Sequence, residues 1–194
     1  MRQFGTRSSL SLPLFGVLAV LALVACTNVG ESAAPRQLSD TDKGPAPDFS
    51  TKLYQGQEDL GAEQLEFSQL LNQGKPVVLN SWAGLCPGCR IEMPRLQAVY
   101  DDPEYKDKLV IYGLDVGQFT HLVDTKDALN LLEELDIHYA TGYTDDAEVV
   151  RDYKVLSMPS TYFITAEGTI AKVYRGVIPE ETLEQILEEL IDGS

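Results

Sequence analysis

The chain has 194 residues, 44% of them apolar and 23% charged, with 15 Lys and Arg set against 30 Asp and Glu. That length suits one globular domain with an adequate core, and a formal charge of −15 argues against binding nucleic acid or anionic lipid, which takes clustered Lys and Arg. Three cysteines exclude a disulfide-dense mini-protein, and their odd number asks for an explanation.

Arg2 and Arg7 precede an almost wholly apolar stretch over residues 10–24, with no acid before Glu31. The stretch is short of the ~20 residues that span a bilayer, which favours the apolar core of an export signal. It ends in Leu23-Val24-Ala25-Cys26, which resembles the bacterial lipobox, where the signal is cut before the cysteine and the thiol is joined to diacylglycerol. The resemblance implies that residues 1–25 are a lipoprotein signal peptide and that Cys26 is lipidated. The alternatives are an ordinary signal peptide or an uncleaved anchor. Acylation at Cys26 would leave Cys86 and Cys89 as an even pair, and two or more acyl chains give durable anchoring.

Residues 26–45 form a polar tether dotted with Pro and Gly, with a root-mean-square reach of roughly 25 Å. From residue 46 to 194 the composition is that of a folded domain. A short strand is expected over residues 49–54 and a brief helix over 67–71. Residues 76–81 and 109–114 are compact apolar runs, as in strands buried on both faces. Helical spacing of apolar residues marks 89–100, 125–135 and 180–191, with a shorter helix over 147–153. Residues 161–165 and 170–174 flank an Ala166-Glu-Gly168 turn and read as a hairpin. Strands alternating with helices and ending in a hairpin indicate an α/β fold, a mixed sheet with helices on both faces.

The chemistry concentrates at Cys86-Pro87-Gly88-Cys89, directly after a buried strand and opening a helix. A disulfide across that four-residue loop constrains the unfolded chain by only about 2 kcal/mol, against ~3 for a 15-residue loop. It is a weak staple and a good switch. Cys86 at the helix N-terminus would meet unpaired N–H groups and the positive end of the dipole, both of which favour thiolate. Cys86 is thus the exposed attacking sulfur and Cys89 the resolving one. A structural disulfide is the bland alternative. Zinc needs about four ligands, and no second cysteine pair exists; His121 and His138 stand isolated. A copper site of Cys86, Cys89 and one histidine stays open.

Asn80-Ser-Trp-Ala-Gly-Leu-Cys-Pro-Gly-Cys-Arg90 resembles the active-site segment of the thioredoxin superfamily. Three further segments are similar to the membrane-anchored TlpA/ResA-like thiol–disulfide oxidoreductases: Ala46-Pro-Asp-Phe49, Cys89-Arg-Ile-Glu92-Met-Pro94 and Met158-Pro159-Ser-Thr-Tyr-Phe163. The likeness covers residues 46–191 and implies a thioredoxin-like fold, with residues 118–142 similar to the family's central insertion. It implies a cis peptide before Pro159, opposite the disulfide, where the backbone of Met158 pairs with an extended substrate. Trp82 is expected as a semi-buried aromatic beside the active-site turn, in contact with substrate or simply core. Pro94 falls inside the helix, where it removes a backbone bond.

By the same resemblance Glu92 tunes the thiols and passes protons during exchange; its alternative is a solvated acid favoured by the helix start. Asn80 stands where cytosolic thioredoxins have a buried aspartate, so proton acceptance falls to Glu92 or water. Leu85 stands where relatives often carry a bulkier or polar residue. The implied activity is reduction of exported proteins on the extracytoplasmic side of a membrane, apocytochrome c among them. A membrane thiol-transfer protein would supply the electrons, with no bound cofactor or metal and no nucleic acid. The competing readings are a disulfide-introducing oxidant, a copper-binding chaperone of the same fold and a non-catalytic lipoprotein with an inert disulfide.

Overall fold

Apolar runs too continuous to be one-sided and too short to be helices become the centre of the sheet. Strand β4 (Val77–Trp82) is buried at all six positions, as expected of a strand covered on both faces. In the computed structural model, which describes residues 43–120 and 125–193, β4 pairs in parallel with β5 (Val110–Asp115) and antiparallel with β7 (Ser160–Ile164). The hairpin expected near the C-terminus is β7 with β8 (Thr169–Arg175). The signal segment, Cys26, residues up to 42 of the tether and His121 lie outside the described residues.

Among the described residues eight strands form one mixed sheet in the order β1 (Gly44–Pro45), β8, β7, β4, β5, β6 (Thr141–Tyr143), β2 (Ser50–Gln55), β3 (Gln64–Glu66). β2 (Ser50–Gln55), α2 (Ser68–Leu71), α3 (Pro87–Asp101), α4 (Thr125–Glu134), α5 (Glu148–Asp152) and α6 (Glu180–Asp192) fall where the periodicity puts them. Four short elements were not foreseen: β1 (Gly44–Pro45), α1 (Gln57–Leu60), β3 (Gln64–Glu66) and β6 (Thr141–Tyr143). Each spans two to four residues, and β3 buries only Leu65, too little for a period to show. Gly44 and Pro45, assigned by composition to the tether, pair with Ile170 and Thr169 of β8.

The stretch resembling a central insertion has a structural purpose. It leaves β5, makes a 3₁₀ turn (Gly117–Phe119), forms α4 and returns as β6, parallel to β5. β6 then pairs with β2, so the crossover joins the N-terminal β2–β3 ribbon to the central strands.

Helices cover both faces. On one, Met93, Leu96 and Val99 of α3 join Ala128, Leu131 and Leu132 of α4 and Leu183, Ile186, Leu187 and Leu190 of α6 in a core that includes Trp82, Cys86 and Cys89. On the other, Phe67, Leu70 and Val149 pack with Val77, Leu79, Tyr112 and Tyr162. The cysteine pair therefore sits at the carboxyl end of β4, where that strand turns into α3.

Candidate active site

The strand-to-helix turn after Trp82 holds the pair. Cys86 is the N-cap of α3 with an extended backbone, and Pro87 follows at the first helical position, where its missing N–H and fixed φ cost nothing. Cys86 and Cys89 are joined in a disulfide. Cys86 keeps 8% of its surface exposed and Cys89 none, which ranks Cys86 as the sulfur an incoming group can reach. Its Sγ accepts the Cys89 N–H at 3.1 Å, a capping bond to a helix-start donor that would also hold a thiolate.

Gly88 is needed because the turn is crowded. A Cβ there would lie 2.8 Å from Cδ of Pro159 and 3.3 Å from Cγ2 of Val177. The expected cis peptide is present at Met158–Pro159, and the same close approach to Gly88 places the segment before β7 against the cysteine turn. Met158 is half-buried and Pro159 buried.

Glu92 stands one helical turn past Cys89, on the same face, and is completely buried. The solvated-acid alternative does not hold. Oε1 accepts Asn80 Nδ2 at 2.9 Å and Thr161 Oγ1 at 2.6 Å, and Oε2 accepts the Ile178 N–H at 2.8 Å. Burial pushes the carboxyl up from 4.5 to about 6, while the bonds from Thr161, Ile178 and Asn80 and the Arg95 charge pull the other way. A buried carboxyl with a pKa near neutrality, one helical turn past Cys89, suits proton transfer once the disulfide is reduced. Asn80 donates to Glu92 and also to Thr161 Oγ1 at 2.9 Å, so it orients the carboxylate where a cytosolic thioredoxin would keep its own acid.

Trp82 corrects its expectation. It is completely buried and cannot meet a substrate. β4 is covered on both faces, so a side chain at its last position packs inward, into the core cluster that also holds Cys86, Cys89 and Met93. The neighbouring Gly84 is where α4 approaches: a Cβ would meet the Asp127 and Ala128 backbone at 2.4 to 2.6 Å. His138 faces solvent with Nε2 3.0 Å from Asp136. Leu85 is 56% exposed.

Thr161, Ile178 and Arg95 belong to the Glu92 cluster and were missed by sequence reasoning. Thr161 pairs with Asn80 across the sheet, and Ile178 contributes a backbone group, which no side-chain pattern reports. A second buried carboxylate, Asp115, faces Trp82 across β4–β5 and accepts Tyr54 Oη at 3.0 Å and the Gly117 N–H at 2.8 Å. Burial raises its pKa as well.

A family model described as the AhpC/TSA family matches residues 43–173. The chain belongs to that family. Within it the similarity runs to a thiol-disulfide oxidoreductase ResA from Oceanobacillus iheyensis, 31% identical over 191 residues, 97% of this chain and 89% of that one. A thiol:disulfide interchange protein DsbE from Yersinia pestis is 29% identical over 94% of this chain and 90% of its own. Among solved structures, a thiol:disulfide interchange protein of the thioredoxin family from Chlorobium tepidum superposes with a TM-score of 0.61 at 20% identity, covering 79% of this chain and 99% of that one. This member of the AhpC/TSA family is a thiol–disulfide oxidoreductase of the ResA/DsbE type with a thioredoxin-like fold.

Proposed function

We propose that the protein is a lipid-anchored, extracytoplasmic oxidoreductase that reduces disulfides in specific exported proteins, apocytochrome c among them. The observation that carries this reading is the Cys86–Cys89 disulfide at the start of α3, with a buried carboxyl group held at about 6 one helical turn further along. The lipobox-like Cys26 and the tether after it support anchoring.

In the reduced enzyme the Cys86 thiolate attacks one sulfur of the client disulfide. A mixed disulfide forms, and the client's other sulfur leaves as thiolate. Cys89 gives its proton to Glu92 and attacks Cys86 Sγ, releasing the second client thiolate. Two electrons pass from the enzyme dithiol to the client, and the protons follow, one of them by way of Glu92. A membrane thiol-transfer protein returns the enzyme to the dithiol form.

Among the described residues the exposed large apolar side chains are Leu85, Ile91, Leu129 and Leu156. Leu85 precedes Cys86, Ile91 follows Cys89 by two, Leu129 lies just past the α4 backbone that meets Gly84, and Leu156 precedes Met158 by two. Leu85, exposed and adjacent to the attacking sulfur, favours a polypeptide client, with the backbone of Met158 before β7 pairing with it. The net charge of −15 suits a basic one.

The test is covalent trapping in cells with Cys89→Ser. Capture of an exported maturation client or a membrane thiol carrier on Cys86 is expected. Recovery of the variant with no protein attached would overturn the exchange mechanism.

A further inference from the structure

Burial alone can carry a carboxyl group to 8–9. Glu92 is fully buried and stands at about 6, so its surroundings supply strong stabilisation of the ionised form. Two of its supports, Asn80 and Thr161, come from the sheet. The third comes from the connection between β8 and α6, a segment with no regular structure of its own to hold it.

That connection is pinned at three points. Gly176, with φ of +99°, donates its N–H to the Pro159 carbonyl at 2.8 Å. Val177 rests against Gly88 of the cysteine turn. Ile178 is bonded at both polar groups, its N–H to Glu92 Oε2 and its carbonyl to Arg95 Nη1. Arg95 lies on α3, three residues past Glu92, and is half-buried. It brings the one cationic side chain among the groups acting on Glu92; the other titratable groups coupled to the carboxyl are Tyr139 before β6 and Tyr174 on β8, and Cys89 joins them, one turn back on α3, once the disulfide is reduced.

We propose that Arg95 is a positioning residue for Glu92: it holds Ile178 by its carbonyl so that the Ile178 N–H stays on the carboxylate, and its charge favours the ionised form. Arg95 thereby sets the pH at which Glu92 can take the proton of Cys89. The proposal rests on the proton-transfer role given to Glu92 above. A guanidinium is suited to the task because it stays charged while binding a carbonyl in a half-buried place.

The experiment follows the Glu92 carboxyl resonance against pH in the oxidised protein, where neither cysteine titrates. Arg95→Met should raise the midpoint by about one pH unit, the lower end of what an adjacent opposite charge contributes. Arg95→Lys should restore more than half of that shift. The pH profile of disulfide exchange by the reduced enzyme should move by the same amount. Should Arg95→Met fail to fold, Arg95→Gln, which keeps a donor for Ile178, is expected to raise the midpoint in the same direction. A midpoint unmoved by loss of the charge, or a lysine variant no better than the neutral one, would overturn the proposal. An exchange profile that is unchanged by Glu92→Gln would instead overturn the role of Glu92 on which it rests.

Discussion

Glu92 shows how a single side chain acquires chemistry from its surroundings. Its carboxyl is held at about 6 rather than 4.5 because burial penalises the charge more than three hydrogen bonds and Arg95 favour it. The folded protein therefore binds this proton more tightly than the unfolded chain. The stability this provides is fully present below about pH 4.5 and is lost as pH rises through 6, a difference of about 2 kcal/mol. Glu92→Gln removes the titration. Urea unfolding of the oxidised protein across pH 4 to 7 should show the wild type losing about 2 kcal/mol relative to the variant. The amide needs a rearranged network, since one donor must face either Ile178 N–H or Asn80 Nδ2. Asn80 Oδ1, which has no hydrogen-bond partner, can accept it if the Asn80 amide turns over. In exchange assays the same variant should lose the inflection near pH 6; its persistence would assign that step to another group.

Among elements, the contact between the cysteine turn and α4 is the one most sensitive to volume. Gly84 lies against backbone, not a movable side chain, with only 2.4 Å between a would-be Cβ and the Asp127 carbonyl carbon. Gly84→Ala must push α4 away from Trp82 and Ala83, with an expected loss of about 1–3 kcal/mol. Amide hydrogen exchange should locate the loosening in α4, while the β7–β8 hairpin keeps its protection. Equal loosening of both would argue that the turn and α4 are not the coupled pair. Helix α3 shows the opposite tolerance. It continues through Pro94 to Asp101, because the rest of its inward face, Met93, Leu96 and Val99, is anchored in the core despite the bond that Pro94 cannot make.

For the whole molecule, the disulfide closes too short a loop to matter much for folding. Its entropic contribution of about 2 kcal/mol is small beside the 5–15 kcal/mol typical of a domain. Reduction should lower the thermal midpoint by roughly 4–8 °C in a domain of this size. Calorimetry of both redox forms checks this. A collapse of the fold on reduction would mean that the bridge is a staple after all.

Much of the fold was legible because local periods report burial on an adjacent surface. Residues 76–81, 89–100 and 180–191 each carry their pattern within one element, and so became β4, α3 and α6 to within a few residues. Cys86-Pro87-Gly88-Cys89 announces its chemistry in four residues, and Glu92 falls beside it by helical spacing alone. What spacing along the chain cannot report is pairing between distant segments. Whether Glu92 would be solvated or buried, and whether Trp82 would face a client or the core, depended on strand register and on α6 closing over α3. Asn80, Thr161 and Ile178 meet the carboxylate from three separate strands and loops, and Arg95 completes the group through a backbone carbonyl that any residue could have offered. Only tertiary structure could decide that, because the energy of a buried charge is set by everything around it and not by its neighbours in sequence.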